Sequence, residues 1–223
     1  MAKRRSGIAG AFTSAHTVGT ALVIGALALT LAALLIPVSL FERVANAGPS
    51  IEVGPPMTFT DDGRGTLTTQ YGPLTALDRD FVRRVRMAGL WEGPAGQQAI
   101  ERAGDNEALR TAGEHLVDGH ALLDEMSVNT GRELGIDLPT QPSEQLQANL
   151  DRFSAASGAE YEYLFANILR RAHGQVFGLV AQVRHSTENS MVRELADQAN
   201  ETVLDHITHL ELTGLVDYAL LTD

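Results

Sequence analysis

The sequence predicts an all-α protein: a four-helix bundle carried behind one long apolar N-terminal segment and a linker. Three observations predict it. Four stretches of about 25 to 30 residues repeat apolar side chains at three-and-four spacing. No alternating strand pattern of useful length interrupts them. Turn signals separate the first helix from the second and the third from the fourth, while a longer connection joins the two pairs.

Residues 1–16 form a short N-terminus with a basic cluster, Lys3-Arg4-Arg5. Residues 17–41 then carry no charge until Glu42 follows them. About 20 apolar residues suffice to cross a bilayer, so this segment is expected to be a transmembrane anchor. A removed signal segment is the alternative, because Ala45-Asn46-Ala47 before Gly48 resembles a small-x-small cleavage site; the apolar run is longer than a usual signal core. In both cases the basic cluster stays in the cytoplasm and the rest is exported. Localisation is therefore expected outside the cytoplasmic membrane, anchored through residues 17–41 or secreted after cleavage near Ala47.

Residues 42–72 read as a linker, rich in Gly, Pro, Thr and Asp from Gly48 onward. Asp61-Asp62-Gly63-Arg64-Gly65 can turn, but it has too few oxygen ligands at the right spacing for a calcium loop.

The folded domain is expected over residues 73–223. Thr75 or Asp78 caps a first helix whose buried face includes Phe81, Val85, Ala88, Ala95 and Ala99; it ends at Gly104-Asp105-Asn106. Gly93-Pro94 and Gly96 interrupt its pattern, and proline should kink it. A second helix runs from Glu107 to Glu133, burying Leu109, Ala112, Leu116 and Leu123, with Gly135 as its stop. The connection holds a short helix from Ser143 to Phe153. A third long helix spans Ala159 to Arg184, aligning Tyr161, Phe165, Ile168, Ala172, Val176, Leu179 and Val183. The fourth runs from Met191 to Leu221, with Val192, Leu195, Ala199, Val203 and Leu210 on its stripe.

Each long helix places one polar residue where its stripe asks for an apolar one: Glu92, His120, His173 and His206. Glu92 lies about 12 residues before the first turn and His120 about 14 after it; His173 lies about 14 before the last turn and His206 about 17 after it. At about 1.5 Å per residue these heights differ by a few Å, so the four groups are expected to meet at mid-height. Three imidazoles and a carboxylate suit a single transition-metal ion such as zinc, copper or iron. A buried hydrogen-bond network is the competing reading. Asp124, one turn after His120, and His209, near His206, are candidate supporting groups behind the ligands. A di-iron centre is excluded by pattern: the residues three before the histidines are Val117, Arg170 and Val203, not glutamates.

Composition removes other classes. The net charge is −11, and residues 1–47 carry +3, leaving −14 on the rest, which repels a phosphate backbone; no nucleic acid is expected. With no cysteine, disulfides, thiolate sites and cysteine nucleophiles are out. Serine elbows, phosphate loops and dinucleotide fingerprints are absent.

Ala88-Gly89-Leu90-Trp91-Glu92-x-Pro94, Asp118-Gly119-His120, Ala172-His173-Gly174-Gln175-Val176-Phe177, Val183-Arg184 with Thr187-x-Asn189, and Leu204-Asp205-His206 leading to Leu210-Glu211-x-Thr213-Gly214 resemble, in order and spacing, the domain-of-unknown-function family 4142. The resemblance covers roughly residues 73–221. It implies a ferritin-like bundle, exported or membrane-attached, and supplies no activity. The Trp-Glu-x-Pro form departs from the commoner Gly-Gly-Leu-Ala-Glu of that family, again pointing to a bent first helix. The sequence reading favours a non-enzymatic envelope protein that contacts another envelope protein or its own copies. Its alternative is a mononuclear metal-binding or stress-protection bundle built on the Glu/His cluster.

Overall fold

The computed structural model describes residues 59–221. The basic N-terminus, the apolar segment 17–41 and the cleavage-like motif lie outside those residues. Among the described residues no helix is long and apolar enough to cross a membrane. The elements are a small hairpin, β1 (Leu67–Thr69) and β2 (Gly72–Leu74), followed by α1 (Ala76–Arg102), α2 (Glu107–Leu134), α3 (Glu144–Ala155), α4 (Gly158–Ser186) and α5 (Ser190–Leu212), with a closing 3-10 turn at Tyr218–Leu221.

Local chemistry sets the helix ends. Thr75 caps α1 in a reciprocal box: its hydroxyl accepts from the Asp78 N–H at 3.1 Å, and the Asp78 carboxylate accepts from the Thr75 N–H at 2.8 Å. Asn106, Ser143 and Asn189 cap α2, α3 and α5 through their side-chain oxygens. Gly135 stops α2 in the left-handed region, where a Cβ would be strained.

The bundle packs α1 against α2 and α4 against α5, with α2–α5 and α1–α4 closing the square. Tight turns make the first two pairs antiparallel. The connection after α2 crosses the bundle lengthwise: the Pro139 carbonyl accepts from Arg86 in the first half of α1, while the Phe153 carbonyl, in the last turn of α3, accepts from Arg102 at the end of α1. α1 and α2 meet closely where Gly96 faces Gly113; a Cβ on either would lie 2.7 Å from the other's carbonyl oxygen. Two apolar clusters fill the interior. One is built around Trp91, Leu109, Leu116, Phe153, Phe165 and Leu210, the other around Phe81, Val85, Leu123, Val183, Leu195 and Ala199.

Three expectations change. First, α1 runs through Gly93-Pro94 as uninterrupted helix. Pro94 is exposed, so the hydrogen bond it cannot donate belongs to the solvent side. Second, the last helix ends at Leu212, not Leu221. Gly214 turns the chain at φ 69°, and the buried Asn167 of α4 captures it, donating to the Leu215 carbonyl at 3.0 Å and accepting from the Asp217 N–H at 2.7 Å. Third, the linker expected through residue 72 contains the hairpin and a fixed turn. The strands are three residues each, too short for a period-two pattern. The Tyr71 carbonyl accepts from the Ser190 N–H at 2.8 Å, and Asn189 donates to Thr69 and Gly72, which ties the hairpin to the start of α5.

The turn at 61–65 closes by side-chain bonds from Asp61 and Asp62 to the N–H groups of Gly63 and Arg64. Its anchor is Arg79, fully buried on α1. Arg79 binds the Asp62 carboxylate with two nitrogens and donates to the Leu74 and Gly65 carbonyls, each at 3.0 Å. The Arg79 hydrogen bond holds Asp62 well below the usual carboxylate range, against the opposing effect of burial. Replacing Asp62 by Ala strands a buried guanidinium. The expected outcome is a lower thermal midpoint together with faster proteolytic cleavage between residues 59 and 66, read by mass spectrometry of the fragments.

Candidate functional site

Glu92, His120, His173 and His206 come together, one from each long helix, in a layer between the two apolar clusters. Each sits where its helix passes from one cluster to the other: Glu92 between Val85 and Ala95, His120 between Leu116 and Leu123, His173 between Leu169 and Leu179, His206 between Ala199 and Leu210. Their relative exposures are 5%, 5%, 1% and 1%, so solvent cannot satisfy them.

The hydrogen bonds fix two tautomers. His173 Nδ1 lies 2.8 Å from the Leu169 carbonyl and His206 Nε2 lies 2.9 Å from the His115 carbonyl. A carbonyl only accepts, so both of those nitrogens carry hydrogen. In the neutral rings the remaining nitrogens, His173 Nε2 and His206 Nδ1, hold lone pairs, yet they face each other at 2.9 Å. Glu92 Oε2, another acceptor, lies 3.2 Å from His173 Nε2 and 3.0 Å from His120 Nε2. Three acceptors therefore converge, and only His120 can offer a proton to them.

Electrostatics sharpen the mismatch. Burial pushes His206 down to about 2, aided by the neighbouring His173 and His120. Burial also pushes His173 down, although Glu92 opposes it. Burial alone would raise Glu92, but His173 and His120 hold it below its ordinary range. Burial thus disfavours the charged form of His173 and His206, while their surroundings favour the charged form of Glu92.

The donor types gathered here, imidazole nitrogen and carboxylate oxygen, are ones that metal ions take. The ligating atoms of His120, His173 and His206 all lie within 4.8 Å of one another. Donors at 2.0–2.2 Å on the corners of a tetrahedron are about 3.3–3.6 Å apart; the His173–His206, Glu92–His120 and Glu92–His173 contacts are 2.9–3.2 Å. The backbone carbonyls behind His173 and His206 are the usual partners that orient a metal-binding imidazole. His120 differs: its Nδ1 is buried with no hydrogen-bond partner among the described residues. It is the least anchored member.

The two supporting candidates lie elsewhere. Asp124 is turned to Arg86 on α1, whose guanidinium captures its carboxylate, and it does not orient His120. His209 stacks on His115 and faces Asp205, away from the buried layer. Glu211 pairs with Arg170 at 2.7 Å. The group that supports His206 is the His115 carbonyl, which carries no side-chain signal in the sequence. Asp205 and His209 show their i, i+4 relation in the sequence, but His115, 90 positions away from Asp205, does not announce that it completes a trio.

Gly119 makes room for His206. A Cβ at Gly119 would lie 2.4 Å from His206 Nε2 and 2.7 Å from Thr202 Cγ2. Gly119 also floors an outer groove of about 520 Å³ between α2 and α5. Gly119→Ala is expected to push His206 off the His115 carbonyl and lower stability by about 1–3 kcal/mol, the ordinary cost of overpacking, read from denaturant midpoints. The His206 ring resonances in NMR spectra should shift with it.

No curated protein and no solved structure matches this chain. The family model described as a domain of unknown function, DUF4142, matches residues 66–212, spanning the hairpin and all five helices, and the chain belongs to that family.

Proposed function

We propose that this bundle binds a single transition-metal ion through Glu92, His120, His173 and His206, and that the ion clamps its four long helices at mid-height. The observation that carries the reading is the meeting of three acceptors, His173 Nε2, His206 Nδ1 and Glu92 Oε2, with their donor hydrogens committed elsewhere. A proton on His173 would satisfy the contacts, but burial opposes it. A divalent cation satisfies all three acceptors at once.

Three imidazoles and a carboxylate suit zinc, copper or iron. Three histidine donors within 4.8 Å of one another, with Glu92 Oε2 beside two of them, support this reading. With Glu92 as the fourth donor the protein would fill every corner, so we read the ion as a structural clamp rather than a catalyst. We also read the bundle as ferritin-like, supported by the single lengthwise connection between α2 and α4. We read the domain as exported, anchored through residues 17–41 or secreted after cleavage near Ala47; the Lys3-Arg4-Arg5 cluster and the uncharged run after it support this. Contact with an envelope protein or with a second copy is a separate reading that concerns the anchor and not the metal.

The test is elemental analysis of the full chain, purified from membranes without an affinity tag, then stripped and reloaded with zinc. One equivalent per chain should survive dialysis in the wild type and be lost in His173→Ala and His206→Ala; His120→Ala should weaken it without abolishing it. Zinc at about 100 times its dissociation constant should stabilise the wild type by about 2.7 kcal/mol. Substoichiometric metal after reloading, or retention unchanged in both anchored-histidine variants, overturns the proposal.

The metal-free chain should also lose stability in acid. His206 and His173 are held below their ordinary value of 6.5, so the unfolded chain takes up protons that the folded one refuses. Their contribution is complete above about pH 6.5 and declines as pH falls toward the folded values, by about 1.4 kcal/mol per pH unit for each histidine. Urea unfolding from pH 7.5 to 5.5 reads this slope, and His206→Ala should make it shallower.

A further inference from the structure

On the outer side of α2 and α5, apart from the buried layer, His115, Asp205 and His209 form a trio that shares no side chain with it. Asp205 and His209 are one turn apart on α5, on one face. His115 reaches them from α2. Each oxygen of the Asp205 carboxylate faces one imidazole: Oδ2 lies 2.7 Å from His115 Nδ1, and Oδ1 lies 3.5 Å from His209 Nε2. The two rings stack with centroids 3.5 Å apart at 25°, which holds both planes against the same carboxylate. One donor atom from each residue falls within 4.8 Å of the others.

We propose that His115, Asp205 and His209 form a second, solvent-open site for a divalent transition-metal ion. Two imidazole nitrogens and a carboxylate select borderline ions such as Zn²⁺ or Cu²⁺ over Mg²⁺ or Ca²⁺, which prefer cages of oxygen. The side chains are 39%, 44% and 22% exposed, so an ion held there keeps positions open to water or an outside ligand, unlike the buried layer. Glu114, Asp118 and Glu201 line the adjoining groove and raise the local concentration of cations. The His115 carbonyl, which accepts from His206, joins the trio to the buried layer; it is main chain and survives replacement of the His115 side chain.

The experiment is calorimetric titration of the metal-free full chain in detergent with Zn²⁺ alone, comparing wild type, Asp205→Asn, His209→Ala, His115→Ala and His173→Ala. Circular dichroism checks the fold of each. The wild type should take up a weaker equivalent, its affinity reduced at least about tenfold in the three trio variants. His173→Ala should keep that equivalent while losing the tight one. A titration with no tight equivalent, but with a weaker one that His209→Ala removes, refutes the buried clamp and supports this site. A wild type with no weaker equivalent, or one whose affinity is unchanged in all three trio variants, overturns it.

Discussion

The fold depends on a mismatch at its centre: lone pairs of two anchored imidazoles and a carboxylate face one another in an interior that water does not reach. An unsatisfied buried polar group costs about 1–3 kcal/mol, and an unpaired buried charge costs more. Four leucines at these positions would pack without that cost. The surrounding structure is arranged to hold the polar groups in place despite it. Leu169 and His115 commit their carbonyls to fixing two rings, Gly119 lets α2 approach the His206 edge, and apolar clusters on both sides keep the layer dry. A cation between the acceptors turns each of these expenses into preorganisation.

The same demand explains why the bundle is tight where it is. Gly96 and Gly113 bring α1 and α2 close one turn from Glu92 and two turns from His120, and any side chain there would move the two helices apart. Separation by even a few tenths of an ångström at that crossing changes the Glu92–His120 contact, which spans the same two helices at 3.0 Å. The other end is fastened differently. Buried Arg79 pins the 61–65 turn, and Asn189 joins the hairpin to the start of α5, so the first strand of chain outside the bundle is tied to two of its helices.

Periodicity made the helices and the polar layer legible. An α-helix converts sequence spacing into height at a constant rise, so Glu92, His120, His173 and His206 could be levelled without coordinates. Thr75 and Gly135 marked helix ends because their chemistry is local. What failed was contact that crosses the fold. The Asp62–Arg79 pair, the capture of residues 215–217 by Asn167 and the turning of Asp124 to Arg86 join residues with no common period. The hairpin failed for a different reason: two strands of three residues are too short to show alternation, and their stability comes from Asn189 and Ser190. Gly214, inside the span expected to be helical, is where the chain turns away after Leu212.

The buried layer and the surface trio use the same ligand types to opposite ends. In the proposed inner site one donor comes from each of four helices, so release of an ion there would require the bundle to open locally. In the trio, two donors share one helix and the third comes from its neighbour, so the ion can leave by side-chain rotation alone. The layer is thereby suited to holding an ion and the trio to exchanging one. His115 stands at both, its imidazole in the trio and its carbonyl behind His206. A shift of α2 at this residue would move a ligand of the outer site and the support of the inner one together.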